Sequence, residues 1–233
     1  MTDSKKANEQ IITPMNAPHI LVNPGKNPGS YIAYFDEFID FPIQYRELTQ
    51  LLAVSDQSVT IELYLNGPGG YMCACVQLIH AIANTEARVI GHLIGESHSA
   101  HANIFMACHE HVVYPYSFMM VHTFSGGFGG KGKDSLRASK AYNGMVEELY
   151  TDLYTGFLSA DELVDVLDHN KDLHFHGEDI ANRLATVYEA RDAEAARIEA
   201  EAEKEELDRM RAIIAKADEP EAQEAILEEE DGE

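Results

Sequence analysis

From residue 59 to 65, apolar side chains fall on alternate positions, Val59, Ile61, Leu63 and Leu65, with Thr60, Glu62 and Tyr64 between them. That period of two predicts a strand with one covered face. It ends at Asn66-Gly67-Pro68-Gly69-Gly70, a run of turn residues. Met72, Cys75, Leu78, Ile79 and Ile82 then recur at helical spacing and predict a helix over 71–83. A strand over 89–94 follows, then a turn at Gly95, a short apolar helix over 99–107, and strands at 112–114 and 118–121. Strand and helix alternating at this pitch predict an α/β body built from parallel units with right-handed crossovers.

The flanks extend the pattern. Upstream, 31–35 reads as a short strand, and 42–54 carries helical spacing through Ile43, Leu48, Leu51 and Leu52. Downstream, a glycine-rich segment over 125–132 leads into a long amphipathic helix over 134–154. Ser159-Ala160-Asp161-Glu162 is a capping box, with Ser at N-cap and Glu at N3, and it starts a further helix that stops near His169. An extended piece over 173–175 and a helix over 177–184 close the body near Val187. Three regions are expected: a flexible arm or edge segment over 1–29, a body over 30–188, and a tail over 189–233 that is helical from Arg191 and disordered from Ala217.

Charge and composition narrow the function class. The net charge of −23 argues against a nucleic-acid partner, which needs clustered Lys and Arg. Residues 189–233 hold 18 acidic and 6 basic side chains, so the tail alone carries −12. No run approaches the ~18 apolar residues that a membrane helix needs, and the chain reads as cytoplasmic with no membrane partner. Three cysteines within apolar segments, Cys73, Cys75 and Cys108, read as reduced thiols, the first two as helix-core residues. The histidine pairs His98/His101, His109/His111 and His174/His176 match no recognised zinc motif, so no metal is expected.

Acyl transfer needs a nucleophile, a base, a group that orients the base, and donors aimed at an oxyanion. Ser99 lies at a strand-to-helix turn, where a helix N-terminus offers unpaired N–H groups. His122 ends the strand over 118–121, at the rim of the sheet, and suits a general base. The Pro68-Gly69-Gly70 turn has no side chain to block a ligand, and its N–H groups can supply part of an oxyanion hole. Taken singly, each has a plainer reading: serines at helix starts usually cap, and Gly-Gly turns are usually only turns.

Their order and spacing are not generic. The runs LYLNGPGG, GESHSAH, MMVHTFSGG and GGFGGKGKD, between Leu63 and Asp134, resemble the proteolytic subunit of Clp protease. The resemblance covers residues 30–188 and implies the α/β fold of that family and of the crotonases, a spiral of repeated β-β-α units, here with a charged helical tail. It implies a serine-type endopeptidase with Ser99 as nucleophile, His122 as base and Asp172 as orienting carboxylate. Asp165, Asp168 and Asp179 compete for that last role, and Asp172 is favoured because it opens an extended segment after the helix. Carried over in the same way, the N–H groups of Gly69 and Ala100 are the oxyanion donors, and Gly126, Gly127 and Phe128 offer open backbone to an extended peptide.

The resemblance also implies a homo-oligomer of stacked rings, unfolded polypeptide substrates, an ATP-dependent unfoldase as partner, and no cofactor. Two departures stand at the site. His98 and His101 flank Ser99 where the family has small residues, and Gly67 replaces the family's serine before the glycines. Alternatives within the same fold are a catalytically silent ring or assembly component, and a specialised processing peptidase such as one that matures a viral capsid. Crotonase chemistry ranks last, because no acidic pair stands at its expected place.

Overall fold

A computed structural model describes residues 20–22 and 29–217. Seven strands form one mixed sheet: β1 (Ile20–Val22), β2 (Ser30–Phe35), β3 (Thr60–Gly67), β4 (Arg88–His98), β5 (Glu110–Val113), β6 (Phe118–Val121) and β7 (Leu173–His176). Their helices are α1 (Arg46–Val54), α2 (Met72–Ala83), α3 (Ala100–Ala107), α4 (Gly132–Tyr154), α5 (Ala160–Leu167) and α6 (Gly177–Ala217), with a 3₁₀ turn at Pro42–Tyr45 leading into α1. The fold is mixed α/β, parallel from β2 through β4 to β6, with antiparallel edges at β1 and β7.

β3 has the alternation that its sequence predicts. Ile61, Leu63 and Leu65 are buried, and Glu62 and Tyr64 lie on the other face, where Tyr64 stacks on His92 of β4 at 4.4 Å. β4 is longer than its sequence suggests. Gly95 does not turn the chain; the strand runs through it to His98. A side chain there would overlap the amide of Asn66, whose Oδ1 accepts the N–H of Glu96 at 2.9 Å. The glycine therefore serves close approach between strands at the register shift after Leu65, and the bend comes four residues later.

The length of β4 positions the site. Its first half pairs with β5 (Ile90 opposite Glu110) and its second half with β6 (Glu96 opposite Phe118, His98 opposite Met120). The strand thus passes beyond β5 and delivers Ser99 beside the end of β6. β7 lies against β6, with Val121 opposite Leu173, so the next positions outward are His122 and Asp172. The capping box of α5 is present: Ser159 Oγ accepts the N–H of Glu162 at 3.2 Å, and Glu162 Oε2 accepts the N–H of Ser159 at 2.8 Å. The same carboxylate takes a two-pronged hydrogen bond from Arg183, at 2.9 Å on each side.

The chain divides into two compact units, Met1–Thr186 and Val187–Glu233. On the flanks, one alternative is narrowed and one reading changes. Ile20–Val22, inside the segment read as a flexible arm or edge, is an antiparallel edge strand on β2, while 1–19 and 23–28 lie outside the described residues. The separate helices expected over 177–184 and from Arg191 are one helix, α6, because residues 185–190 contain neither Gly nor Pro to stop it. Within the second unit, Arg197 bonds Glu194 and Glu201 one turn to either side. The disorder expected from Ala217 falls almost entirely on residues outside the described ones. Among the described residues, no helix is long and apolar enough to cross a membrane.

Candidate active site

Ser99 stands between the end of β4 and the start of α3 with φ 55° and ψ −119°. It is one of two described non-glycine residues with positive φ, a backbone region costing on the order of 1–3 kcal/mol. Its N–H donates to the carbonyl of Met120 at 2.9 Å, extending the β4–β6 ladder by one rung, and its carbonyl accepts the N–H of Asn103 at 3.0 Å, opening α3. The hydroxyl makes no capping bond. The plainer reading of this serine, a helix cap, is therefore absent, and the strained turn leaves its side chain in the cleft. Ser97, the competing hydroxyl, is fully buried opposite Met119 and Gly67.

The cleft has a volume of about 300 Å³. Gly70, Ser99 and Ala100 line it together with Gly126, Gly127 and Phe128. Tyr142 lines it too, its ring edge-on to those of Phe124 at 4.7 Å and Phe128 at 5.3 Å. The cleft is thus apolar beyond the serine, suited to an apolar side chain of an extended peptide. A Cβ at Gly126 or Gly127 would meet nothing within 4 Å, so this backbone is open to a partner strand.

Asp172 approaches His122 as the β6–β7 register requires, with 3.8 Å between Oδ1 and Nδ1. That is within ion-pair reach and longer than a hydrogen bond. The competing carboxylates are engaged elsewhere or stand apart. Asp165 accepts from Lys171 at 2.8 Å and bonds His169 at 2.9 Å, Asp179 takes Arg183 at 3.1 Å, and Asp168 lines a separate polar cleft beside Asn143 and Asn170. Behind His122, Tyr150 donates to its carbonyl at 2.6 Å, the amide of Asn103 donates to Tyr150 at 3.3 Å, and Tyr154 donates to Asn103 Oδ1 at 2.7 Å. This buried chain joins α3, which begins at the residue after Ser99, through α4 to His122. Sequence reading missed it; tyrosines at helical spacing on α4 were its only signal.

The glycine turn departs from expectation at one atom. The N–H of Gly69 does not face the cleft but donates to Nδ1 of His101 at 2.9 Å. Gly69 keeps another function: at φ +106° it approaches so closely that a Cβ would stand 2.8 Å from that of Ser99. The next residue presents the open donor. Ile39 bonds the carbonyl of Gly69 and the N–H of Tyr71 in a parallel bridge, so the N–H of Gly70 between them points to the opposite side, and Gly70 lines the cleft. Ala100, the first residue of α3, lines the same cleft as Gly70 and Ser99.

Of the two flanking histidines, His98 lies edge-on to Phe118 at 5.7 Å, and His101 is fully buried. Burial pushes the His101 imidazole down from 6.5 to about 4, with nearby His98 adding to the effect and the Phe35 carbonyl opposing it. In the unfolded chain the group would titrate near 6.5, so between 6.5 and 4 the unfolded state binds more protons and stability falls as pH falls. His101 alone is expected to remove about 3 kcal/mol between neutral pH and pH 4. Chemical denaturation across that range should register the loss and find it reduced in His101→Asn; equal acid sensitivity in both proteins would rule His101 out as its source.

Cys75 is buried, its thiol pushed up to about 12 by burial, and Cys108 is buried too. Cys73 is not a helix-core residue. It sits on the exposed side of α2 and lines the cleft, because two positions before Cys75 lies half a turn away from the apolar face. Among the described residues, no group of three or more His, Cys, Asp or Glu could hold a metal ion.

Residues 37–161, more than half of the chain and including Ser99 and His122 though not Asp172, match the family model described as Clp protease. No curated protein matches the chain. With a match of that extent, the chain belongs to the Clp protease family.

Proposed function

We propose that this chain is a serine peptidase that hydrolyses unfolded polypeptide through an acyl-enzyme on Ser99. The family is one of peptidases, serine-type in their chemistry, and the mechanism follows from the site. Ser99 Oγ attacks the scissile carbonyl carbon while a ring nitrogen of His122 takes its proton. The N–H groups of Gly70 and Ala100 stabilise the oxyanion that forms. His122 then returns the proton to the leaving amine, and water repeats the sequence on the ester. Asp172, on the Nδ1 side of the ring, leaves Nε2 to the serine and stabilises the imidazolium. The 3.8 Å contact is one that tightens when substrate binds, as catalytic hydrogen bonds in free enzymes do. The open backbone of Gly126 and Gly127 takes the peptide as an added strand, with an apolar side chain directed toward Phe124 and Tyr142.

The observation that carries this reading is the backbone of Ser99, held at positive φ beside a cleft with its hydroxyl free of any capping bond. A silent ring component with the same fold has no use for that strain, and glycine would serve it better. Hydrolysis of short fluorogenic peptides with an apolar residue before the scissile bond, blocked by a fluorophosphonate and unaffected by chelators, is the expected result. A protein that turns over no such peptide and resists the probe would be the silent component.

The wider assembly follows the same reading: a β-β-α spiral body, rings stacked around a chamber, and an ATP-dependent unfoldase feeding it. Family members form rings and work with ATPases, and α4 leaves the apolar side chains of Leu136 and Met145 exposed. Light scattering is expected to return a mass several times the 25.9 kDa of one chain. A monomer at micromolar concentration would remove the chamber and leave the cleft chemistry standing.

A further inference from the structure

The two departures from the family pattern, a histidine at 101 and a glycine at 67, meet in space. The imidazole of His101 lies where a side chain of residue 67 would project: a Cβ on Gly67 would overlap Nε2 and stand 2.6 Å from Cε1. The other ring nitrogen, Nδ1, accepts the N–H of Gly69 at 2.9 Å. One side chain thus fills the space left by the first glycine of the turn and holds the backbone of the third residue, two positions along. The Gly70 N–H that faces the cleft belongs to the very next peptide.

We infer that His101 is a positioning residue: seated against Gly67 and accepting the Gly69 N–H, it fixes the turn so that the Gly70 N–H points at the oxyanion formed on Ser99. The inference rests on the peptidase reading above and adds to it a residue that touches neither substrate nor reacting atoms.

The physical argument has three parts. A glycine turn with φ +106° at its centre has little conformational restraint of its own, so its donors are aimed only if something outside the turn holds it. The bridge to Ile39 holds one face, through the Gly69 carbonyl and the Tyr71 N–H. That leaves the Gly69 N–H as the remaining handle, and in this buried position an unpaired donor is costly, so an acceptor there locks one orientation. The acceptor must be neutral, and burial keeps His101 neutral at any pH where a serine–histidine pair works. Since Nδ1 accepts, the proton is on Nε2, against Gly67, where only the absence of a side chain leaves room for the ring.

The test separates filling from holding. Gly67→Ala alone is expected to destabilise the protein, because its methyl and the imidazole claim one space. Gly67→Ala with His101→Ala is expected to recover the melting temperature but not the chemistry, since alanine offers no acceptor. His101→Ala and the double variant should acylate Ser99 with a fluorophosphonate about 10²-fold more slowly than wild type, with kcat for peptide falling alike and KM within a few-fold. His101→Asn, whose Oδ1 can stand where Nδ1 stood, should recover the rate to within about tenfold; if His101→Ala does not fold, the double variant and His101→Asn carry the comparison. A folded variant without an acceptor at 101 that acylates at the wild-type rate would overturn the inference, as would His101→Asn no faster than the double variant. Gly67→Ala as stable as wild type would refute the shared space. Failure of the wild-type protein to label at Ser99 is the separate outcome that removes the peptidase reading itself.

Discussion

Ser99→Ala is expected to abolish peptide hydrolysis, by about 10⁶ in kcat if Ser99 and His122 act as a unit, while the fold stays intact. Alanine keeps the Cβ and the same strained φ, so the turn, the Met120 bond and the start of α3 are unchanged. Ser99→Gly should be equally inactive and more stable than Ser99→Ala by roughly 1 kcal/mol, because glycine adopts φ 55° without penalty. The pair of variants separates chemistry from strain. Activity retained by either would move the nucleophile elsewhere, and a glycine variant no more stable than the alanine one would mean that the turn is not strained.

Asp172→Asn carries the second large effect. An amide cannot stabilise an imidazolium and favours the wrong tautomer of the base, a loss of about 10⁴ in turnover for a triad. The geometry makes this a sharp test, because Asp172 reaches His122 at 3.8 Å through the register of β6 and β7, whereas Asp168 lines a neighbouring cleft. Asp168→Asn should therefore fall within a few-fold of wild type at neutral pH. If Asp168→Asn is crippled and Asp172→Asn is not, the orienting carboxylate comes from the residue that ends α5 and the strand register is irrelevant to it.

How much of this was legible beforehand varies with the physics behind each element. β3 was readable because one face is buried and one is not, and that asymmetry writes itself as alternation. The capping box of α5 was readable because both its hydrogen bonds are local. The turn at Gly95 was misplaced: glycine marks close approach as well as turns, and here its neighbour is the Asn66 side chain, 29 residues earlier in sequence and unseen by any local pattern. The apolar surroundings of Cys73 in sequence point to the core, whereas its angular position on α2 points away from Cys75 and its side chain is exposed.

At the site, Ser99 and His122 could be singled out because strand ends and strand-to-helix turns are local features. The Gly69 N–H that sequence reading aims at the oxyanion is paired elsewhere, for a reason no local pattern carries. An imidazole 32 residues later takes the Gly69 N–H, and a bridge to Ile39, some thirty residues earlier, decides which way Gly70 faces. The buried chain from Tyr154 through Asn103 and Tyr150 to His122 is of the same kind, built from contacts between residues far apart in sequence.

The most direct measurement of the central claim is to treat the wild-type protein with a fluorophosphonate and map the modified residue by mass spectrometry. The probe reports an activated serine, since Oγ displaces fluoride from phosphorus only when a base takes its proton and donors receive the developing negative charge. The account predicts a single adduct on Ser99, absent from His122→Ala. An adduct on Ser97, or none on a folded protein, would contradict it.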